Sequence, residues 1–175
     1  MSSPTATISP EHYRKVMGRL PTGVVAITGI DDDGNELGFI VGSFHSLSLD
    51  PPIVTFSVGH TSSTWPRIRR RQVFTANVLS STQVDACRAL AGKGAGKFAS
   101  LSYTAGPLGA PRLRDSIAWI DCSVQAEVLV GDHFMVIGTV GGMEAADGEP
   151  LLFQAGQFGT YTSLSPEPSL ASTGA

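Results

Sequence analysis

The sequence has few charged residues, and it has no long apolar run. Charged residues make up 15% of the 175 residues, with 12 Lys and Arg against 15 Asp and Glu. A net charge of −3 gives no general basic field, which argues against nucleic-acid binding. A membrane-spanning run of about 18 apolar residues is absent, and the N-terminus lacks a basic-then-apolar signal pattern. The composition therefore predicts a soluble cytoplasmic protein without a membrane partner.

Cysteine is also scarce, since Cys87 and Cys122 are the only two in the chain. They lack metal-ligand spacing, and a disulfide between them is not expected in a reducing compartment. Cys122 falls on the apolar side of a predicted strand, which indicates a small core residue. The three acids at 31–33 lack EF-hand spacing, so we interpret them as a solvated hairpin tip. No metal site is predicted.

Glycine and proline are plentiful, with 20 Gly and 11 Pro, and they separate short apolar segments. This pattern is typical of many short strands joined by turns, which predicts a mainly β fold. We place one domain at 10–164, between disordered ends at 1–9 and 165–175. The clearest alternation lies in 117–130. Its predicted apolar face comprises Ala118, Ile120, Cys122, Val124, Ala126 and Val128, and its wetter face comprises Asp121, Ser123, Gln125 and Glu127.

Only a few short helices are predicted. Ser9 and Pro10 suit an N-cap and a first helical position, for a helix that ends by Gly18. A second short helix is predicted over 65–71. Ser80 and Gln83 have the spacing of a capping box that opens a third helix through Leu90.

The segment 38–52, GFIVGSFHSLSLDPP, starts as a strand and then becomes polar. Its hydroxyl and imidazole side chains are Ser43, His45, Ser46 and Ser48. Gly42 removes a side chain where a flat ligand could approach the backbone. The pattern alone also suits an ordinary serine-rich edge strand, so the residues leave both interpretations open.

This segment resembles the signature of the flavin-reductase-like family, the FMN-binding split barrels that serve two-component monooxygenases. The matching residues are Gly38, Ser43, Phe44, Ser46, Leu47, Ser48, Pro51 and Pro52. The sequence departs at Ile40, where the family usually has Thr, and at Gly42, where it has Ser or Asn. The resemblance implies an antiparallel split β-barrel. It places the flavin at Ile40, Val41, Gly42, Ser43, Phe44, Ser46 and Ser48.

Three further segments resemble flavin-contacting elements of the family. The polar loop before the second helix carries Ser62, Ser63 and Thr64, where the family sets hydroxyls against the ribityl chain or phosphate. As bare sequence, such a loop is more often just an N-cap. Asn77 matches the asparagine of the family's F-x-V-N-V-L strand. Near the end of the domain, Phe158 matches the aromatic of the closing motif, although the customary arginines are absent.

A glycine-rich stretch, AGKGAGKFAS, superficially suggests a phosphate-binding P-loop. The required pattern is G-x-x-x-x-G-K-[ST], but Ala91 replaces its first glycine and Phe98 follows its lysine. Nucleotide hydrolysis is therefore rejected. Lys97 and Phe98 instead resemble the family's D-K-F element, which approaches the flavin. Gly96 replaces the usual aspartate.

The motif Gly-Asp-His at 131–133 is the family's second signature. A lone histidine in a turn is more often structural, but in this family the residue lies beside the nicotinamide and the flavin. The resemblance therefore makes His133 the catalytic candidate.

The resemblance spans about residues 11–162 and implies an NAD(P)H:flavin oxidoreductase. Such an enzyme reduces FMN or FAD by hydride transfer from NADH or NADPH and supplies reduced flavin to a partner monooxygenase. A homodimer is also implied. The departures at Ile40, Gly42 and Gly96 leave open a flavin- or small-molecule-binding split barrel without reductase activity. The same departures also suit a barrel recruited for non-redox small-molecule chemistry.

Overall fold

The computed structural model describes residues 8–94 and 96–164. The disordered ends predicted for 1–9 and 165–175 lie outside these ranges, apart from Ile8 and Ser9. Within the described residues, none of the helices has the length and apolar character needed to cross a membrane.

The described residues form twelve strands and three α-helices, which confirms the mainly β fold. The strands are β1 (Thr22–Gly23), β2 (Val25–Ile30), β3 (Glu36–Val41), β4 (His45–Ser48), β5 (Ile53–Gly59), β6 (Val73–Val78), β7 (Tyr103–Ala105), β8 (Pro111–Leu113), β9 (Ala118–Val130), β10 (His133–Ala145), β11 (Leu152–Gln154) and β12 (Gln157–Gly159). The helices are α1 (Pro10–Met17), α2 (Trp65–Ile68) and α3 (Val84–Ala91). A 3₁₀ turn, Arg69–Arg71, follows α2.

The first helix begins and ends where its capping residues predict. The Ser9 side chain accepts a hydrogen bond of 3.2 Å from the His12 N–H, and Pro10 is the first helical residue. Proline suits this position because the N–H that it lacks would have no partner within the helix. The helix ends before Gly18.

The predicted capping box of α3 forms only in part. Gln83 Oε1 accepts a hydrogen bond of 3.0 Å from the Ser80 N–H, as a capping box requires. The Ser80 hydroxyl lies instead 2.9 Å from Thr82 Oγ1. The helix consequently begins at Val84, later than predicted.

Seven strands form one antiparallel sheet in the order β3-β2-β6-β9-β10-β5-β4. Strands β3 and β4 are therefore opposite edges of the sheet, yet the chain passes directly from one to the other. The four peptide steps from Val41 to His45 span at most about 14 Å. The sheet must curl until its edges meet, and it stays open along β3, which pairs with β2. This arrangement confirms the predicted antiparallel split barrel.

Two apolar clusters cover the two faces of β2. The first cluster comprises Val25, Ile27, Val41, Val54, Phe56, Val58, Trp65, Ile68, Phe74, Ala76, Cys122 and Val136. The second cluster comprises Val24, Ala26, Leu79, Cys87, Leu90, Leu113 and Leu151. Burial on both faces explains why residues 25–29 of β2 are all buried and show no alternation of exposure. Both cysteines are free and buried, so Cys122 is a core residue as predicted.

The long hairpin of β9 and β10 differs from the predicted alternation at both ends. Asp121, assigned to the wet face, is fully buried because it accepts a hydrogen bond of 2.7 Å from Thr75 Oγ1 and pairs with Arg112. At the far end, Ala126 and Val128 are exposed although they belong to the predicted apolar face. The hairpin extends beyond the two clusters there, so nothing in the described chain covers these side chains.

The turn between β2 and β3 is a hairpin as predicted, but its first acid is not solvated. Asp31 is 5% exposed. Its Oδ1 accepts hydrogen bonds from the Asp33 N–H at 3.0 Å and the Asn35 N–H at 2.8 Å. It also pairs with Arg67. The Asn35 side chain also donates a hydrogen bond of 3.1 Å to Asp31 Oδ2. This bond contributes most, and together with the others it lowers the pKa of Asp31 to about 2.

Acid is expected to destabilise this protein through Asp31. A carboxylate with a folded-state pKa near 2 stabilises the fold above its unfolded pKa, and it loses that contribution as pH falls through 2. The Asp31→Asn variant should therefore show a shallower loss of unfolding free energy between about pH 4 and pH 2. Urea titrations at stepped pH measure this slope. Asp33→Asn, at an exposed position of the same turn, is the matched control and should keep the parent slope.

Candidate active site

Two clefts open along β3, and both lie on the split side of the sheet. The smaller cleft has a volume of about 440 Å³. Residues 39–43 form one wall, and residues 57–59 of β5 form the other, with His133 beside them. The split therefore brings together the first signature segment and the histidine of the second. We call this space the split cleft.

His133 is the first residue of β10 and is paired with Gly59 of β5. Its Nδ1 lies 2.7 Å from Asp132 Oδ1, and its side chain is 51% exposed. A carboxylate only accepts hydrogen bonds, so Nδ1 carries the hydrogen in this pair. The same hydrogen bond lowers the pKa of Asp132. A Cβ built on Gly59 would lie 3.9 Å from His133 Nε2, so this nitrogen lies at the cleft wall.

Asp132 is itself held by the loop after β5. Its carbonyl oxygen accepts hydrogen bonds from the His60 N–H at 3.0 Å and from His60 Nδ1 at 2.7 Å. The backbone of Asp132 therefore fixes the turn, and its carboxylate holds the His133 ring.

The segment 40–43 contributes backbone and one bridging hydroxyl to the split cleft. Ser43 Oγ accepts a hydrogen bond of 2.9 Å from the Ser57 N–H and donates one of 3.3 Å to its carbonyl. Ser43 therefore ties the two walls together. Val41 is 7% exposed in the first cluster, so it offers the cleft mainly backbone atoms. Ile40 is half-buried against the second cluster and lines the cleft.

Gly42 has a packing role that the sequence did not indicate. A Cβ at this position would lie 2.7 Å from Thr22 Oγ1 and 3.2 Å from Thr22 Cβ. The small residue is therefore required by β1, whether or not a ligand approaches the backbone here.

The remaining predicted residues of the signature segment lie outside both clefts. Phe44 packs against the first cluster. Ser46 is exposed and Ser48 half-buried on β4, where they face Val54 and Ile53 across the ladder with β5. These side chains build the edge of the sheet.

The larger cleft, of about 1050 Å³, lies at the other end of β3. It is lined by Ser63, Thr64 and Lys97–Phe98 from the predicted set, together with Arg67, Lys93 and Tyr103. Ser62 is not among the lining residues. Its Oγ accepts a hydrogen bond of 3.2 Å from the N–H of Trp65, the first residue of α2, whereas Thr64 at the N-cap position makes no side-chain capping bond. We call this space the basic cleft.

Lys97 and Phe98 fasten the glycine-rich loop to β3. Lys97 Nζ donates to the Leu90 carbonyl at 2.9 Å and to the Gly38 carbonyl at 3.4 Å, and burial lowers its pKa. The Phe98 ring packs edge-on against Tyr103, with centroids 5.5 Å apart. A Cβ on Gly38 would lie 3.3 Å from Phe98 and 2.9 Å from Leu90, so the first glycine of the signature makes room for this packing.

Asn77, predicted as a flavin contact, is not among the residues that line either cleft. The side chain is fully buried, and its Nδ2 donates to the Ala26 carbonyl at 3.1 Å and to Thr28 Oγ1 at 2.9 Å. Its Oδ1 accepts from the Leu113 N–H at 2.7 Å. Asn77 therefore joins β2, β6 and β8 in the core.

Phe158 also lies outside the residues that line the two clefts. Its ring packs against Phe153, with centroids 5.3 Å apart, and against the second cluster. Sequence reasoning missed Ser57, Lys93 and Tyr103 as lining residues. Ser57 and Tyr103 belong to no quoted motif, and Lys93 lies in the quoted glycine-rich stretch without matching a family residue, so only their positions in space identify them.

The two clefts together fit a flavin. The split cleft combines the apolar Ile40 side chain with the backbone of residues 41–43, which suits a flat ring with polar edges. The basic cleft combines hydroxyls with cationic side chains, which suits a phosphate. Among the described residues, no group of three His, Cys, Asp or Glu side chains could hold a metal ion.

Fold and site thus define a split barrel with one cleft at its seam and a second cleft, lined by hydroxyl and cationic side chains, beside it. Residues 17–162 match the family described as "Flavin reductase like domain". This chain belongs to the flavin reductase-like family, which confirms the resemblance deduced from residues 38–52 and 131–133.

Relatives of this chain are named as flavin reductases or as reductase subunits of flavin-dependent monooxygenases. It is 39% identical over 160 residues to a flavin reductase of Pseudomonas putida, covering 91% of this chain and 94% of the relative. It is 40% identical over 164 residues to the reductase subunit HsaB of a flavin-dependent monooxygenase of Rhodococcus jostii strain RHA1. This match covers 93% of this chain and 82% of the relative.

Solved structures agree with these relatives. A homologue of nitrilotriacetate monooxygenase component B from Mycobacterium thermoresistibile superposes with a TM-score of 0.86 at 33% identity, over 94% of each chain. The NADH:FAD oxidoreductase SgcE6 of Streptomyces globisporus C-1027, solved with NAD and FAD fragments, gives 0.84 at 27% identity, over 93% of this chain and 100% of that one.

Proposed function

We propose that this chain is an NAD(P)H:flavin oxidoreductase that reduces FMN or FAD and supplies the reduced flavin to a partner monooxygenase. The observation that carries the proposal is the position of His133, which meets the signature segment across the split of a flavin reductase-like fold. Family membership and the names of the relatives support the reaction.

When bound, the nicotinamide would supply the hydride and the flavin its acceptor, which is chemistry of the two cofactors themselves. The task of the protein is to position them and to exclude competing reactions. His133, held by Asp132, lies where it can orient the nicotinamide at the mouth of the split cleft. The backbone of residues 41–43 is suited to the edge of the flavin ring. Ser63, Thr64 and Lys97 are suited to its phosphate.

The proposal includes a homodimer. The end of the β9–β10 hairpin carries large apolar side chains that the rest of the described chain leaves in water, with Val128 47%, Leu129 61% and Val130 54% exposed. An apolar surface of this kind is typical of a face covered by a partner subunit. A cytoplasmic location, where NAD(P)H is available, goes with the same proposal.

The direct test is to mix purified protein with each pairing of NADH or NADPH with FMN or FAD. Nicotinamide absorbance should fall in at least one pairing. Saturable flavin binding with no loss of absorbance in any pairing would contradict the reductase and support the alternative, a flavin-binding barrel without this activity. No binding of either flavin would contradict both.

Ser63→Ala is expected to weaken FMN binding by about 1.5–3 kcal/mol, because one hydroxyl hydrogen bond to a charged acceptor is lost. Calorimetric titration with FMN measures the change. Riboflavin, which has no phosphate, should bind parent and variant alike. Ser100→Ala, an exposed serine that does not line the basic cleft, is the matched control. Unaltered FMN affinity would remove Ser63 from the phosphate contacts.

Ile40→Thr is expected to tighten flavin binding by about 1 kcal/mol, since a hydroxyl at this position can donate a neutral hydrogen bond to the ring edge. Ile40→Val shortens the side chain without adding a hydroxyl, so it separates hydrogen bonding from the loss of packing against the second cluster. If Thr and Val bind flavin equally, the ring lies beyond reach of residue 40.

A further inference from the structure

The basic cleft is larger than a single phosphate requires. Its volume of about 1050 Å³ compares with about 440 Å³ for the split cleft. Drug-sized ligands occupy pockets of about 300–1,000 Å³. The hydroxyls of Ser63 and Thr64 line only part of this space, and the glycine-rich loop lines another part. The size therefore points to a second organic group beside the phosphate.

The charge of the basic cleft favours a group with more than one negative charge. Arg67, Lys93 and Lys97 line it, against a single lining carboxylate, Glu36. Arg67 pairs with Asp31, but a guanidinium has five N–H donors, so donors remain for a second anion. Glu36 accepts a hydrogen bond of 2.5 Å from the Tyr103 hydroxyl, which ties its charge to the far wall.

The glycine-rich loop, whose sequence does not match the P-loop motif, forms part of the lining of the basic cleft. Residues 92–94 and 96 line it, and Gly94 and Gly96 have φ angles of +99° and +79°. Side-chain-bearing residues rarely adopt these angles, so the loop exposes backbone and one lysine, Lys93, instead of bulk. The half-buried aromatic rings of Phe98 and Tyr103 add an apolar wall, which suits a purine.

The two clefts follow one another along β3. Gly38 lines the basic cleft and Ile40 lines the split cleft. Two residues of extended strand span about 7 Å, which the five-carbon ribityl chain of a flavin can bridge. A ligand with its ring at the split can therefore extend its phosphates into the basic cleft without a break.

We propose that the basic cleft binds the adenosine diphosphate part of FAD, so that this chain binds FAD in preference to FMN. The proposal rests on the proposed function. The adenosine diphosphate group also occurs in NADH and NADPH. The cleft continues the space assigned to the flavin ring, which favours FAD over the nicotinamide coenzymes as the ligand that supplies this group. Lys93, at the tip of the loop, is the residue that distinguishes the diphosphate from a monophosphate.

Calorimetric titrations with riboflavin, FMN and FAD test the proposal without any turnover. We expect FAD to bind the parent about tenfold more tightly than FMN, as one added charge-assisted hydrogen bond allows. Lys93→Ala should weaken FAD binding about tenfold and leave riboflavin binding unchanged. ADP should compete with FAD and not with riboflavin. Arg88→Ala, which removes an exposed cation outside both clefts, should behave as the parent.

The other outcomes overturn the proposal in distinguishable ways. Equal affinity for FMN and FAD, with Lys93→Ala binding both as the parent does, would limit the basic cleft to one phosphate. A Lys93→Ala variant that loses affinity for NADH but not for FAD would assign the cleft to the nicotinamide coenzyme. If none of the three flavins binds the parent, the proposed function itself fails.

Discussion

Replacing His133 with alanine is expected to lower the turnover of flavin reduction about a hundredfold and to raise the concentration of NAD(P)H needed. The ring lies at the wall of the split cleft, where Asp132 holds its Nδ1 at 2.7 Å. Reduction of the flavin can take its proton from water, so the loss should misplace the hydride donor instead of removing an acid. A misplacement of about 1 Å can cost about a hundredfold in rate.

Steady-state kinetics, flavin titration and circular dichroism together measure this effect. Flavin affinity and fold should stay near those of the parent, because the side chain is 51% exposed and its ring is held by Asp132 of the same turn. His12→Ala, on the exposed surface of α1, is the matched histidine control. Asp132→Asn keeps a hydrogen-bond acceptor beside the ring and should lose less activity than His133→Ala. If the His133→Ala variant reduced flavin at the rate of the parent, His133 would have only a structural role in the turn.

Replacing Asp121 with alanine is expected to cost about 3–5 kcal/mol of unfolding free energy. The carboxylate is fully buried, and it pairs with Arg112, whose side chain is 12% exposed. Removing it leaves a guanidinium with one remaining carboxylate partner, the exposed Glu144, and leaves the Thr75 hydroxyl without its acceptor. A buried charge that loses its partner is among the most costly single changes to a fold.

Urea denaturation of Asp121→Ala beside the parent checks this value. The matched control is Asp85→Ala, which breaks the exposed pair with Arg88 and should cost less than about 1 kcal/mol. If the Asp121 variant lost no more than this control, the buried pair would contribute no net stability.

Local sequence was sufficient for the elements that depend on neighbouring residues. Ser9 and Pro10 start α1, and the acidic turn after β2 closes a hairpin, because caps and turns are set by residues a few positions apart. Periodicity identified the strands for a similar reason, since alternation is a property of one segment. The motifs at 38–52 and 131–133 identified the family, although nothing in either segment shows that they meet.

The tertiary structure decided what surrounds each polar side chain. The sequence pattern predicts that Asp121 and Asp31 are exposed to solvent. Both are buried, because each pairs with an arginine from another element, Arg112 and Arg67 respectively. Asn77 matches a flavin-contacting residue of the family, yet its hydrogen bonds hold three strands together. Sequence spacing cannot reveal such partners, since they are brought into contact only by packing.

The same distinction applies to the site. The sequence by itself determined the class of fold, the family and the candidate histidine, because these depend on periodicity and on short motifs. Only the tertiary structure separated the predicted residues into a split cleft and a basic cleft, and only it added Ser57, Lys93 and Tyr103. The physical reason is the curled sheet, which brings β3 opposite β5 and the glycine-rich loop beside Ser63, although these segments are far apart along the chain.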